Sequence, residues 1–413
     1  MQLKKKANLQ RTLATATCSL IATTMQLDAQ AKGEKWEVNA TGFFYQEVDR
    51  ISVYEEILSV KKELGENEYL SLKRTLDIMT GASPTGEAEP QASATFTSPS
   101  GSSLSTASGE SPLGEFQDIR TAYNLSWQKP LTKMLNSTWT VNYSYEYDYS
   151  ATGLSGLLSK DLEGRRTTIN YGVSGSFDRI KPTNGVPIGG TATTNLTRYR
   201  ADNKFTLDLL LGITRVLNRR ALGTLTYMRG TSSGYLNDPY KVYSLLNSDN
   251  LTPSGTTYFE HRPSLRRTNS VHTRVIRNRS EKSSMGDVVD FSYRYYWDSW
   301  DVKSHTAELR YRQNMKKSKE DEHVIYHLRL YRQFEADFYR YGVPATQLIP
   351  EYVSADYRLS SLATATVGIG WGQKYFKDLQ VNVRGEFMYQ WYIASELNAL
   401  QAVSVQGSLY YQF

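Results

Sequence analysis

A hydrophobic period of two, sustained over unusually long segments, constrains this chain more than any other feature. Trp139, Val141, Tyr143, Tyr145, Tyr147 and Tyr149 alternate with Thr140, Asn142, Ser144, Glu146 and Asp148. Phe205, Leu207, Leu209, Leu211 and Ile213 repeat the pattern, as do Ile169, Tyr171, Val173 and Phe177. Val289, Phe291, Tyr293, Tyr295 and Trp297 follow it, and so do Leu379, Val381, Val383, Phe387, Tyr389 and Trp391. Successive strand side chains point to opposite faces, so each segment has one greasy face and one wet face.

A soluble β-sandwich also alternates, but its strands average about five or six residues. These segments run past ten, near the roughly 9–11 residues of a tilted strand that crosses a bilayer. Aromatics gather at segment ends, as in Trp297 with Trp300 and Trp391 with Tyr392, where interfacial girdles sit. At 39% hydrophobic and 12% aromatic residues the chain is too rich in core formers to be disordered. No run approaches the roughly 20 apolar residues of a spanning helix. A single Cys excludes a disulfide framework and a Cys-built metal site. The expected fold is all-β, a transmembrane antiparallel β-barrel with short periplasmic turns and long extracellular loops. Val403, Val405, Leu409, Tyr411 and the last residue, Phe413, read as a closing strand that resembles the signal recognised by barrel-assembly machinery.

The first residues read as an export signal. Lys4, Lys5, Lys6 and Arg11 precede an uncharged stretch from Thr12 to Met25, and Ala29-Gln30-Ala31 has the small-x-small spacing of a cleavage site. The expected division is a signal peptide over 1–31, cleaved after Ala31, and an outer-membrane β-barrel over 32–413. A lipoprotein acylated at Cys18 is disfavoured by the bulk of Thr17 before it. Cleavage leaves 382 residues without Cys and a net charge of +3, down from +6. That excess is too small to indicate nucleic acid.

Candidate strands lie near 36–45, 51–62, 68–79, 118–128, 137–149, 166–178, 203–217 and 221–230. Others lie near 265–276, 286–297, 303–315, 322–334, 355–371, 378–392 and 401–413. Polar stretches 65–67, 129–133, 217–219 and 316–321 read as turns; 80–117, 150–163, 231–262, 335–352 and 393–400 read as long loops. Fifteen strands cannot leave both termini on one side, and single-chain bacterial barrels normally hold an even number. The gap falls between 178 and 203, which points to a strand hidden in 179–199 and a total of about 16, with 14 as the fallback.

Short motifs extend the pattern. They include Gly81-Ala82-Ser83-Pro84, Phe96 to Gly101, Asp178-Arg179-Ile180, and Gly234-Tyr235-Leu236 with Asp238-Pro239-Tyr240. Arg262-Pro263, Tyr295 to Trp300, Ser304-His305-Thr306, Tyr331-Arg332-Gln333 and Ala336 to Tyr339 follow in order. Together they resemble a bacterial family named as domain of unknown function 3570, whose members are predicted outer-membrane barrels. The resemblance implies a barrel and brings no activity with it.

Charged residues fall on the wet face: Glu146, Asp148, Asp208, Asp290, Arg294, Glu308, Arg310, Arg312, Arg329, Arg384 and Glu386. Lipid cannot solvate them, so they are expected to line the lumen, as a selectivity lining or as a self-neutralising network. Trp297, Trp300, Tyr389, Trp391, Tyr411 and Phe413 are the expected girdle. His261, His272, His305, His323 and His327 show no chelating spacing; His323 and His327 share a strand face but sit about 13 Å apart. Asn237 and Asp238 could touch calcium, yet an Asn-Asp-Pro turn explains them without an ion. No metal or cofactor is expected. The Ser residues of segment 80–117 have no nearby His, and no catalytic residues are expected. The Ser/Thr/Gly/Ala/Pro-rich segment 80–117 either folds into the lumen or stays a surface loop.

The leading expectation is a passive pore in a Gram-negative outer membrane, surrounded by outer-membrane lipid and inserted by the barrel-assembly machinery. The alternative is a non-conducting barrel that holds a lipoprotein or redox protein. An enzyme is not expected, nor is TonB-dependent import, because no plug precedes the first strand.

Overall fold

The computed structural model describes residues 35–88, 112–195, 197–248, 251–279, 286–315, 322–376, 378–393, 397 and 399–413, together with the backbone of 94–97 and 103–106. The expected leader over 1–31, with Cys18, lies outside the described residues, as does the turn at 316–321.

Sixteen antiparallel strands close into one barrel in chain order. They are β1 (Trp36–Glu47), β2 (Ile51–Gly65), β3 (Glu68–Pro84), β4 (Leu113–Thr132), β5 (Leu135–Tyr145), β6 (Tyr149–Asp161), β7 (Thr167–Ile180) and β8 (Asp202–Asn218). The ring continues with β9 (Ala221–Gly234), β10 (Leu265–Asn278), β11 (Val288–Asp298), β12 (Lys303–Asn314), β13 (His323–Phe334), β14 (Leu362–Tyr375), β15 (Leu379–Tyr392) and β16 (Leu400–Gln412). β1 pairs with β16 from Glu37↔Gln412 to Glu47↔Ala402, and Trp36 and Phe413 exchange backbone hydrogen bonds of 2.8 and 3.0 Å. Closure leaves no unpaired edge, and an edge is what a strand cannot carry into hydrocarbon.

The register follows from the alternation, because a slip of one residue would turn every apolar side chain inward. On β8, Phe205, Leu207, Leu209, Leu211 and Ile213 are exposed on the outer wall, each paired with an outward neighbour such as Val173 or Tyr227. The even-numbered Thr206, Asp208, Leu210 and Gly212 share the inner face. Asn67 takes a left-handed φ of 59° in the two-residue turn after β2 and Asp49 one of 57° after β1, a conformation these residue types tolerate.

The hidden strand is not in 179–199. It is β6, which occupies the stretch expected to be the loop 150–163, while 181–201 is the loop. The outward positions of β6 are Thr152, Leu154, Gly156, Leu158 and Lys160, too small and polar to register as a greasy face. Gly156 pairs with Trp139, and a Cβ there would sit 2.8 Å from the indole. The sequence thus trades an apolar side chain on β6 for a ring supplied by β5.

Segments 66–67, 133–134, 162–166, 219–220, 279–287, 315–322 and 376–378 connect strands at one end of the barrel, where Trp36 and Phe413 also lie. The other end, called the loop end below, carries 85–112, 181–201, 235–264 and 335–361. The outer wall breaks its own rule once among the described ion pairs. Glu56 and Arg74 meet at 3.7 Å on the apolar face of β2 and β3, between Leu58 and Leu76. Pairing lowers the cost of charge at that depth without removing it.

Candidate functional site

Strand parity gives the inner wall two unlike halves. From β10 to β15 it carries Arg266, Arg274, Arg294, Arg310, Arg312, Arg329 and Arg384, against Asp290, Asp298, Glu308 and Glu386. From β2 to β8 acids prevail: Glu55, Asp77, Asp118, Asp178 and Asp208, against Lys73, Arg120 and Lys204. A recess of about 390 Å³ on that side is lined by Asn124, Asn142, Ser174, Ser176, Asp178 and Asp208, among others.

The basic half is laced by short ion pairs. Arg274 meets Asp290 at 2.5 Å, Arg266 meets Asp298 at 2.5 Å, and Arg310 meets Glu308 at 2.6 Å. His327 bridges two strands' acids, with Nδ1 2.7 Å from Glu386 and Nε2 3.3 Å from Glu308. This junction escapes sequence reading because its members are brought together by register, not by spacing.

Across the loop end lies a folded cap. Val242–Leu246 and Pro253–Phe259, both from the loop after β9, form a three-stranded sheet with Gly342–Pro344 from the loop after β13. The loop after β7 joins through the Ala192↔Tyr258 bridge. The loop after β3 joins where Val242 N donates to Thr85 O at 3.0 Å and Ala88 N to Ser244 Oγ at 2.9 Å. Gly86, with a φ of 94°, presses against the Val242 carbonyl where no Cβ would fit. Roots at β3/β4, β7/β8, β9/β10 and β13/β14 cannot all lie on one half of a ring of sixteen, so their meeting point sits over the mouth. Further ties run to the rim: Tyr240 OH donates to Asp148 at 2.5 Å, and the Lys241 ammonium to Ser83 Oγ at 3.0 Å and to the Pro84 carbonyl.

Charge holds the cap together as well as apolar packing. Tyr243, Val343, Val353 and Ala355 are buried in its core. Beside them Arg262 reaches Glu260 at 2.8 Å and Asp356 at 2.7 Å, while Arg358 reaches Asp356 at 2.6 Å and Asp238 at 2.5 Å. Glu260 and Asp356 are each only 1% exposed. Burial pushes Glu260 up to about 7, against the pull of Arg262. Burial acts the same way on Asp238 and Asp356 and is the largest single influence on each, but Arg358, Lys241 and Arg262 together outweigh it and hold both below the usual range.

These shifts predict a pH optimum for the cap. Between Glu260's ordinary value and about 7 the closed cap holds a proton that an opened one releases, so closure weakens as pH rises through that window. Asp238 and Asp356 add stability that is present above their ordinary range and lost as pH falls through it. Protease cleavage within 235–264 is therefore expected to increase from about pH 5 to pH 8, and Glu260→Gln to flatten that rise.

Of the residues read from the sequence as lumen-lining, Asp208, Asp290, Arg294, Glu308, Arg310, Arg312, Arg329, Arg384 and Glu386 stand at inward parity. Glu146 and Asp148 lie beyond β5, in the connection 146–148, where Asp148 serves the cap. In the expected girdle, Trp297 stacks on Tyr295 at 5.3 Å, Tyr389 meets Trp391 at 4.7 Å, and Tyr411 meets Phe413 at 5.4 Å. Trp300 does not belong with them. It is buried edge-on to Phe338 at 5.2 Å beneath the Arg266 guanidinium, and its Nε1 donates to Leu265 O. The reason is its place in the connection 299–302, which folds toward the cap and away from lipid.

A profile of the family described as "Protein of unknown function (DUF3570)" matches residues 10–413. No curated protein matches the chain. Similar solved structures include one titled a bacterial polysaccharide outer membrane secretin, at 9% identity and TM-score 0.46, covering 92% of this chain and 98% of that one. OccAB3 of Acinetobacter baumannii is similar at 9% identity and TM-score 0.41, with 93% and 100% covered. The toluene transporter TodX of P. putida is similar at 10% identity and TM-score 0.39, with 93% and 91% covered.

Proposed function

The chain belongs to this family of unknown function, and because membership supplies no activity we propose from geometry that it is an outer-membrane pore for small hydrophilic solutes. The proposal places it in a Gram-negative outer membrane after loss of the leader at 1–31, its loop end outside and its turn end in the periplasm. One observation carries the reading: sixteen strands close a ring whose long apolar stripes face out and most of whose charged side chains face in. A ring of that size is too wide for side chains to fill, so its interior holds water. Charge facing that water sorts solutes by sign, and replacing it changes which ones pass.

The cap favours a second reading. A mouth spanned by hydrogen-bonded sheet and buried ion pairs suits a barrel that holds a lipoprotein or redox partner and conducts nothing. Planar-bilayer recording of the purified protein separates the two. The pore reading expects stable ohmic current that changes when Arg310 and Arg312 are replaced by Gln. A folded barrel that stays silent and co-purifies with a partner would establish the second.

A further inference from the structure

The basic half of the inner wall has more cations than its acids can neutralise. Asp290 is taken by Arg274, Asp298 by Arg266, and Glu386 by His327 and Arg384. Glu308, which lies across the strand pair from Arg329, turns instead to Arg310 and His327. Arg294 on β11 and Arg329 on β13 are left exposed, and among the described residues neither makes an ion pair or a side-chain hydrogen bond. They flank β12 from its two neighbours on the same face, with Arg294 paired to Thr306 and Arg329 to Glu308 two residues further along.

We propose that Arg294 and Arg329 form an anion-binding step inside the lumen, which takes the carboxylate or phosphate group of a passing solute. This rests on the pore reading and names its solute class. A guanidinium presents a planar fork of donors that matches both groups. Its neighbours are already committed to one another, so no protein acid competes for it. The acidic half of the wall repels the same group, which leaves the basic side as the side an anion follows.

The test uses the full-length folded protein and the double variant Arg294→Gln with Arg329→Gln. In a KCl gradient the wild type is expected to prefer chloride, and the variant to lose about two- to fourfold of that preference, the effect of two unit charges acting through water at about 10–20 Å. Equilibrium binding of succinate and of inorganic phosphate, each to detergent-solubilised protein at low salt, identifies which group is held. Binding of either one that disappears in the variant upholds the step. A cation-preferring wild type, or a variant with unchanged selectivity and binding, overturns it. A wild type that passes no current defeats the pore reading alone, and the binding arm then decides this one.

Discussion

Replacing Asp356 with Ala is expected to release the cap while leaving the barrel folded. Asp356 is almost fully buried and accepts from both Arg262 at 2.7 Å and Arg358 at 2.6 Å, so it joins the loop after β9 to the loop after β13. Its loss strands the Arg262 guanidinium in the cap interior with Glu260 as its remaining partner, while Arg358, about half exposed, keeps Asp238. Removing one partner from a buried charge network costs about 3–5 kcal/mol, because the remaining charge stays unsolvated. The barrel ladder does not depend on that network, so the loss falls on local opening. Limited proteolysis should cut within 235–264 and 335–361 far faster in the variant, with strands β1–β16 still protected. In the pore reading, conductance should rise together with cutting. Unchanged protection would mean that the apolar contacts of Tyr243, Val343 and Val353 hold the cap without the charges.

The second large effect separates neighbouring positions on one strand. Leu209 faces out from the middle of β8 and is 51% exposed, while Leu210 faces inward between Gly172 and Met228. An Arg at 209 would stand in hydrocarbon at a cost of about 2–4 kcal/mol. An Arg at 210 would reach water in the lumen and should change stability by less than about 1 kcal/mol. Urea titration of folding into lipid vesicles measures both variants directly. Equal losses would contradict the assignment of faces.

The barrel was legible because lipid imposes one rule on every strand: Trp139 through Tyr145 and Phe205 through Ile213 reveal their outward face without any tertiary knowledge. The rule failed at β6, where Gly156 leaves its outward place to the ring of Trp139. It is silent on the cap, whose members are tied by contacts as distant in sequence as Asp238 and Arg358, 120 residues apart. Asn237 and Asp238 read locally as a turn, and they do make one: Tyr240 N donates to Asp238 Oδ1. The same Asp238 also carries the ion pair with Arg358, and Asn237 Oδ1 accepts from Arg262 N. Local chemistry showed the first role of each residue and gave no sign of the second. Trp300 misled for a related reason, because an aromatic at a strand end can turn to lipid or to a folded loop, and only the loop's own fold decides.

The account rests on a closed ring whose two faces meet different solvents. Single cysteines placed in turn at residues 205–213 of the protein in lipid vesicles, challenged with a membrane-impermeant maleimide, test that most directly. Labelling should follow the even positions 206, 208, 210 and 212, with 205, 207, 209, 211 and 213 protected. Odd positions that label as readily as even ones would place water on both faces, and the membrane barrel would be refuted.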